Sequence, residues 1–127
     1  MGPGNFMNHR AFVIEDHPDI AVLFSRALVE AGFDVEIIRN GRDAIRRLGK
    51  ESPSLITLDM HLPEVDGGII LDFIRRQEHL KGAIVVVATA DSQMSSLYHH
   101  KADLLLQKPI TFSQMRDFAK RYKTLFV

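Results

Sequence analysis

Five short apolar runs, each followed by a stretch with helical spacing, set the tightest limit on what this chain can fold into. The runs lie at 11–14, 35–38, 55–58, 83–88 and 104–106. Apolar and β-branched runs of this length, bounded by turn residues, read as buried strands. After the first run, Ile20, Leu23, Phe24, Ala27, Leu28 and Ala31 step by three and four, which marks one face of a helix. Pro18 suits its first position and Gly32 its stop. Asn40-Gly41 leads into Ala44, Ile45 and Leu48, closing near Gly49. Gly67-Gly68 precedes Ile70, Phe73 and Ile74, a helix expected to run to Lys81-Gly82. Met115, Phe118, Ala119 and Tyr122 share a face after Pro109. The segment 91–101 has helical spacing at Met94, Leu97 and Tyr98, but it is short. Five such β-α units predict an α/β fold, a doubly wound five-stranded parallel sheet with helices on both faces.

Bulk properties narrow the functions. At 127 residues and 46% hydrophobic, the chain suits one domain with a full core. It has no cysteine, which excludes disulfides and thiolate metal sites and fits a reducing cytosol. No apolar run approaches the roughly 18 residues of a membrane helix, and no secretory signal is visible. The formal charge is zero, which offers no general argument for binding nucleic acid or membrane. Residues 1–9 are expected to be a disordered start or a cloning scar.

The chemistry gathers at strand ends. Asp59 closes the third run, and Glu15 and Asp16 close the first. In open α/β sheets the carboxyl ends of the strands are where ligands bind. Thr89 and Lys108 end the fourth and fifth runs at the same edge. Carboxylates about 4 Å apart repel by roughly 4 kcal/mol at an effective dielectric of 20. Such a cluster therefore protonates or takes a cation. Oxygen ligands without cysteine select Mg²⁺, with Mn²⁺ or Ca²⁺ as alternatives, and Mg²⁺ combines with few carboxylates and a phosphate. A carboxylate flanked by a metal, an ammonium and a hydroxyl can accept a phosphoryl group. Each motif alone has a plainer reading: Glu15-Asp16 as a helix start, Asp59 as a turn opener, Thr89 as a strand residue, Lys108-Pro109 as a strand exit. His17 and His61 raise a transition-metal reading, against which loop histidines are commonly just solvated.

Taken together, Val13-Ile14-Glu15-Asp16, the stretch from Asp59 through Met60-His61-Leu62-Pro63-Glu64-Val65-Asp66 to Gly67, Thr89-Ala90 and Lys108-Pro109 resemble the response-regulator receiver domain of two-component signalling systems. The likeness runs from about Arg10 onward, so residues 10–127 are expected to form one receiver domain. The resemblance implies a flavodoxin-like sheet in the order 2-1-3-4-5. It implies phosphorylation on Asp59, with Mg²⁺ on Glu15, Asp16, Asp59 and the backbone carbonyl of His61. Thr89 and Lys108 would contact the phosphoryl oxygens. It also implies a sensor histidine kinase, a phosphotransfer domain or a small phosphodonor as partner, a cytoplasmic location and a switch that is not an enzyme in its own right. The output surface, and a homodimer contact if one forms, would be the helix 4–strand 5–helix 5 face, helix 4 being the 91–101 segment.

Three positions depart from the family pattern. Leu105 stands where relatives often carry Tyr or Phe, which puts the usual aromatic switch in question. The span from Thr89 to Lys108 is short, so helix 4 is expected to be truncated or irregular. His61 sits where relatives vary and where the lifetime of the acyl phosphate is set. Two other functions compete. An aspartyl-phosphate hydrolase would need a second acid where His61 stands, and a pseudo-receiver would bind partners without phosphorylation.

Overall fold

The computed structural model describes residues 9–91, 93 and 100–124. Strands β1 (His9–Ile14), β2 (Phe33–Ile38), β3 (Leu55–Asp59), β4 (Ile84–Thr89) and β5 (Leu104–Gln107) form one sheet. All pairings are parallel and the order is β2-β1-β3-β4-β5. Helices α1 (Pro18–Glu30), α2 (Gly41–Leu48), α3 (Gly67–Arg76) and α4 (Phe112–Thr124) connect and cover it. Helix α4 is the one counted fifth in the sequence reading. Of the 91–101 helix expected there, residues 92 and 94–99 lie outside the described set, as do 1–8 and 125–127.

Side chains alternate across a strand, so each strand feeds two cores. Phe12, Ile14, Ile56, Leu58, Val85 and Val87 meet Leu48, Ile70, Leu71 and Ile74 on the α2–α3 side. Ala11, Val13, Leu55, Val86 and Ala88 meet Phe24, Ala27, Leu28, Met115 and Ala119 on the α1–α4 side. Strand β3 is buried at every residue, Asp59 included. That is why its sequence reads as a continuous apolar run rather than an alternation.

Several boundaries differ from the sequence expectation, each for a local reason. Strand β1 opens at His9 and β2 at Phe33, taking in Arg10 and Asp34. On the edge strand β2, Asp34 stands in solvent, while Arg10 is held by Glu36 and Glu51. The third helix does not reach Lys81-Gly82. It ends at Arg76, Gln77 turns extended (φ −88°, ψ 122°), and a separate 3₁₀ turn covers Glu78–Leu80. This break lets Leu80 drop fully into the α2–α3 core, and His79 Nε2 lies 2.7 Å from the Leu48 carbonyl at the end of α2.

The caps match the sequence signals. Asn40 accepts a hydrogen bond from the Asp43 amide at 2.8 Å, and Asp66 accepts from Gly68 at 3.0 Å. Pro18 occupies the first turn of α1. Gly32 adopts φ 103°, and its carbonyl accepts from Lys123 Nζ of α4 at 3.0 Å. No described helix is long and apolar enough to cross a membrane.

Candidate phosphoacceptor site

Parallel pairing in register brings the strand ends to one edge. Ile14 lies beside Leu58, Asp59 beside Ala88, and Thr89 beside Gln107. The residues at or just beyond those ends are Glu15, Asp16, Asp59, Thr89 and Lys108. Backbone bonds extend the order past the strands: Glu15 N–H donates to Ile38 at 3.0 Å and Lys108 N–H to Thr89 at 2.8 Å. The Lys108–Pro109 peptide is cis.

Carboxylate oxygens of Glu15, Asp16 and Asp59 lie within 4.8 Å of one another. Glu15 and Asp59 are buried (2% and 6% exposed), and Asp16 is more open. Lys108 Nζ sits 2.9 Å from Glu15 Oε1 and 3.6 Å from Asp59 Oδ1. It therefore pairs with both carboxylates and sits closer to Glu15. Asp59 Oδ1 also accepts the His61 N–H at 3.2 Å, and Glu15 Oε2 accepts the His17 N–H at 3.3 Å.

The electrostatics follow from that crowding. Burial pushes the Glu15 carboxyl above its ordinary range and the Asp59 charge adds to the shift, while Lys108 pulls it back. By formal charge, three carboxylates against one ammonium leave the cluster two negative charges in excess. All the ligand atoms are hard oxygens, the donor set that suits Mg²⁺. Among the described residues, this candidate ligand group contains no histidine. The imidazole of His61 lies toward Asp91 instead, with Nε2 3.9 Å from Oδ2.

Thr89 is fully buried, and its Oγ1 accepts the Asp91 N–H at 3.0 Å. A hydroxyl used as an acceptor keeps its own proton to donate. Hollows among the described residues flank the cluster. A cleft of about 410 Å³ is lined by Ile20, Leu23, Phe24, Ala90, Lys108, Pro109 and Ile110. An open dish of about 500 Å³ is lined by Met60, His61, Leu62, Glu64 and Asp66.

Some contributors carried no sequence signal for this role. Asp91, read only as the start of a weak helix, contacts both Thr89 and His61. Gly67, read as a helix opener, is needed for close approach: a Cβ there would stand 2.5 Å from Met60 Cα. Its N–H donates to the Met60 carbonyl at 3.1 Å, tying the start of α3 to the residue after Asp59.

A family model described as the response regulator receiver domain matches residues 11–120. The chain belongs to that family. Receiver domains are signalling phosphoacceptor domains of two-component systems rather than a family of enzymes. The "Probable methanogenesis regulatory protein FilR2" of Methanothrix harundinacea is 31% identical, covering 87% of this chain and 79% of its own length. Sporulation initiation phosphotransferase F of Bacillus subtilis is 27% identical, covering 94% and 97%. Longer regulators match too, and of several of these the chain spans only 23% of the length. In fold, the receiver domain of sensor histidine kinase PA1611 from Pseudomonas aeruginosa superposes with a TM-score of 0.80 at 22% identity, over 92% of this chain and 98% of that one. That structure holds a magnesium ion in its active-site cleft.

Within this receiver domain, Leu105 lies half-buried on β5 opposite Val87 and packs against the α2–α3 core. No aromatic ring stands at that position.

Proposed function

We propose that this receiver domain takes a phosphoryl group on Asp59, with Mg²⁺ held by Glu15, Asp16, Asp59 and the carbonyl of His61. The observation that carries the reading is the meeting of three carboxylates within 4.8 Å, with Lys108 the one cation paired with them among the described residues. The donor set fits the ion, since it is all oxygen and carries excess negative charge. When bound, Mg²⁺ supplies positive charge for the oxygens of the incoming phosphoryl group.

The chain's own residues do the rest. An Asp59 oxygen attacks phosphorus in line with the bond to the donor. As the new O–P bond forms, the donor's P–N bond (phosphohistidine) or P–O bond (acetyl phosphate) breaks, and its electron pair leaves with the donor. The His61 N–H, already 3.2 Å from Oδ1, holds the carboxylate's orientation. Lys108 turns from Glu15 toward the new charge, and the Thr89 O–H donates to a phosphoryl oxygen. A sensor histidine kinase or phosphotransfer domain is the proposed physiological donor. Those contacts shift the population of the helix 4–strand 5–helix 5 face, which is the proposed output and dimer surface. Driving such a switch from 1:99 to 99:1 takes about 5.5 kcal/mol of differential stabilisation. A few charge-assisted contacts in a buried pocket are of that order.

The test is incubation with Mg²⁺ and acetyl phosphate or beryllofluoride, read by intact mass and by amide NMR shifts. Wild type gains one phosphoryl mass and shifts at Asp59, Thr89 and Lys108. Asp59→Asn and chelated wild type do not. A wild-type protein indifferent to both reagents is a pseudo-receiver, and the proposal fails.

A further inference from the structure

The loop from Met60 to Asp66 contains one backbone anomaly. Glu64 adopts φ 71°, the one non-glycine residue with positive φ among those described, and the Val65 N–H donates to the Pro63 carbonyl at 2.8 Å. A hydrogen bond from residue i+2 back to residue i around a positive φ is a γ-turn of the rare, strained hand. Such a turn persists only where its surroundings hold it. What holds it lies on another element. Gly41, buried at the first turn of α2, faces Val65 so closely that an added Cβ would stand 2.5 Å from Val65 Cβ and 3.0 Å from the Val65 carbonyl oxygen. The neighbouring Arg42–Glu64 pair spans 3.8 Å between exposed side chains and contributes little. Val65 also packs on the core to which Ala44 and Leu48 of α2 belong, and its seat on Gly41 is the closest approach shown between the loop and α2.

We infer that Gly41 is a positioning residue for the Asp59 pocket: its missing side chain seats Val65, which keeps the strained turn in place and so aims the His61 backbone at Asp59 and its metal. This rests on the proposed function. Sequence motif reading assigned Gly41 only a helix start.

The experiment titrates Mg²⁺ alone into wild type, Gly41→Ala, Val65→Gly and the double variant. Amide shifts of His61 and hydrogen exchange of the Val65 N–H are followed, with thermal unfolding measured separately. Gly41→Ala is expected to weaken Mg²⁺ binding about tenfold and to speed Val65 exchange, because its Cβ expels Val65. Removing the opposing Cβ relieves the 2.5 Å clash and leaves the milder 3.0 Å approach to the carbonyl oxygen, so the double variant returns to within about threefold of Val65→Gly alone. Should Gly41→Ala fail to fold, the double variant still decides by folding and binding as Val65→Gly does. Gly41→Ala that melts earlier yet binds Mg²⁺ like wild type overturns the inference, as does a double variant with no recovery. A wild type that ignores Mg²⁺ instead defeats the functional reading beneath it.

Discussion

Replacing Asp59 with Asn is expected to stabilise the metal-free protein, although Asp59 is the proposed reactive group. Asp59 lies within 4.8 Å of two other carboxylates. At an effective dielectric of about 20, each repulsion at that separation is worth about 3.5 kcal/mol. The substitution also forfeits the attraction to Lys108 Nζ at 3.6 Å, worth about 4.6 kcal/mol on the same basis. The balance favours Asn by about 2 kcal/mol, and screening around the more open Asp16 trims this to about 1–2 kcal/mol. The amide oxygen of Asn can still accept the His61 N–H, so that bond is not lost. For a domain of this size the gain raises Tm by roughly 3–10 °C. The assay is thermal or urea unfolding of both proteins, first in chelator and then in Mg²⁺. Saturating the wild type at about 100 times Kd adds about 2.7 kcal/mol, which reverses the ranking if the variant has lost the ion. An Asp59→Asn protein less stable than wild type in chelator, or Mg²⁺ stabilising both equally, refutes the reasoning.

Three other outcomes follow from the same geometry. Hydrogen bonds from Arg47, then Arg10, hold the Glu51 carboxyl at about 2; a depressed folded value stabilises above the unfolded pKa and is lost as pH falls from about 4.5 toward 2. Solvent reaches this pair, so the share is discounted to about 1 kcal/mol, and urea unfolding between pH 6 and pH 3 should show wild type losing that much more than Glu51→Gln. Leu105→Ala should cost about 1–2 kcal/mol of stability, since the side chain is only half-buried, yet leave beryllofluoride uptake unchanged; lost uptake would make Leu105 part of the site. His61→Ala removes a 60% exposed side chain, so stability should move by less than about 0.5 kcal/mol while the decay rate of phosphorylated Asp59 changes in a phosphate-release assay.

Local rules account for what could be read from the chain alone. Strand and helix periods are properties of neighbouring residues, so the five runs and the amphipathic faces of α1 and α4 were visible before any fold was known. Parallel pairing then brings every strand end to one edge, which is why Glu15, Asp16, Asp59, Thr89 and Lys108 could be grouped from their positions after apolar runs. What stayed hidden depends on which surfaces meet across long stretches of chain. Lys108 reaches Glu15 across 93 residues, and it stands 2.9 Å from Glu15 against 3.6 Å from Asp59, a difference that no spacing along the chain encodes. The break at Gln77 answers to the packing of Leu80 rather than to any helix-stop residue. Gly41 reads as a helix opener until Val65 is seen against it. Periodicity decided the elements and the edge where the acids gather; close packing, which no linear pattern encodes, decided how the charges pair and what holds the loop beside them.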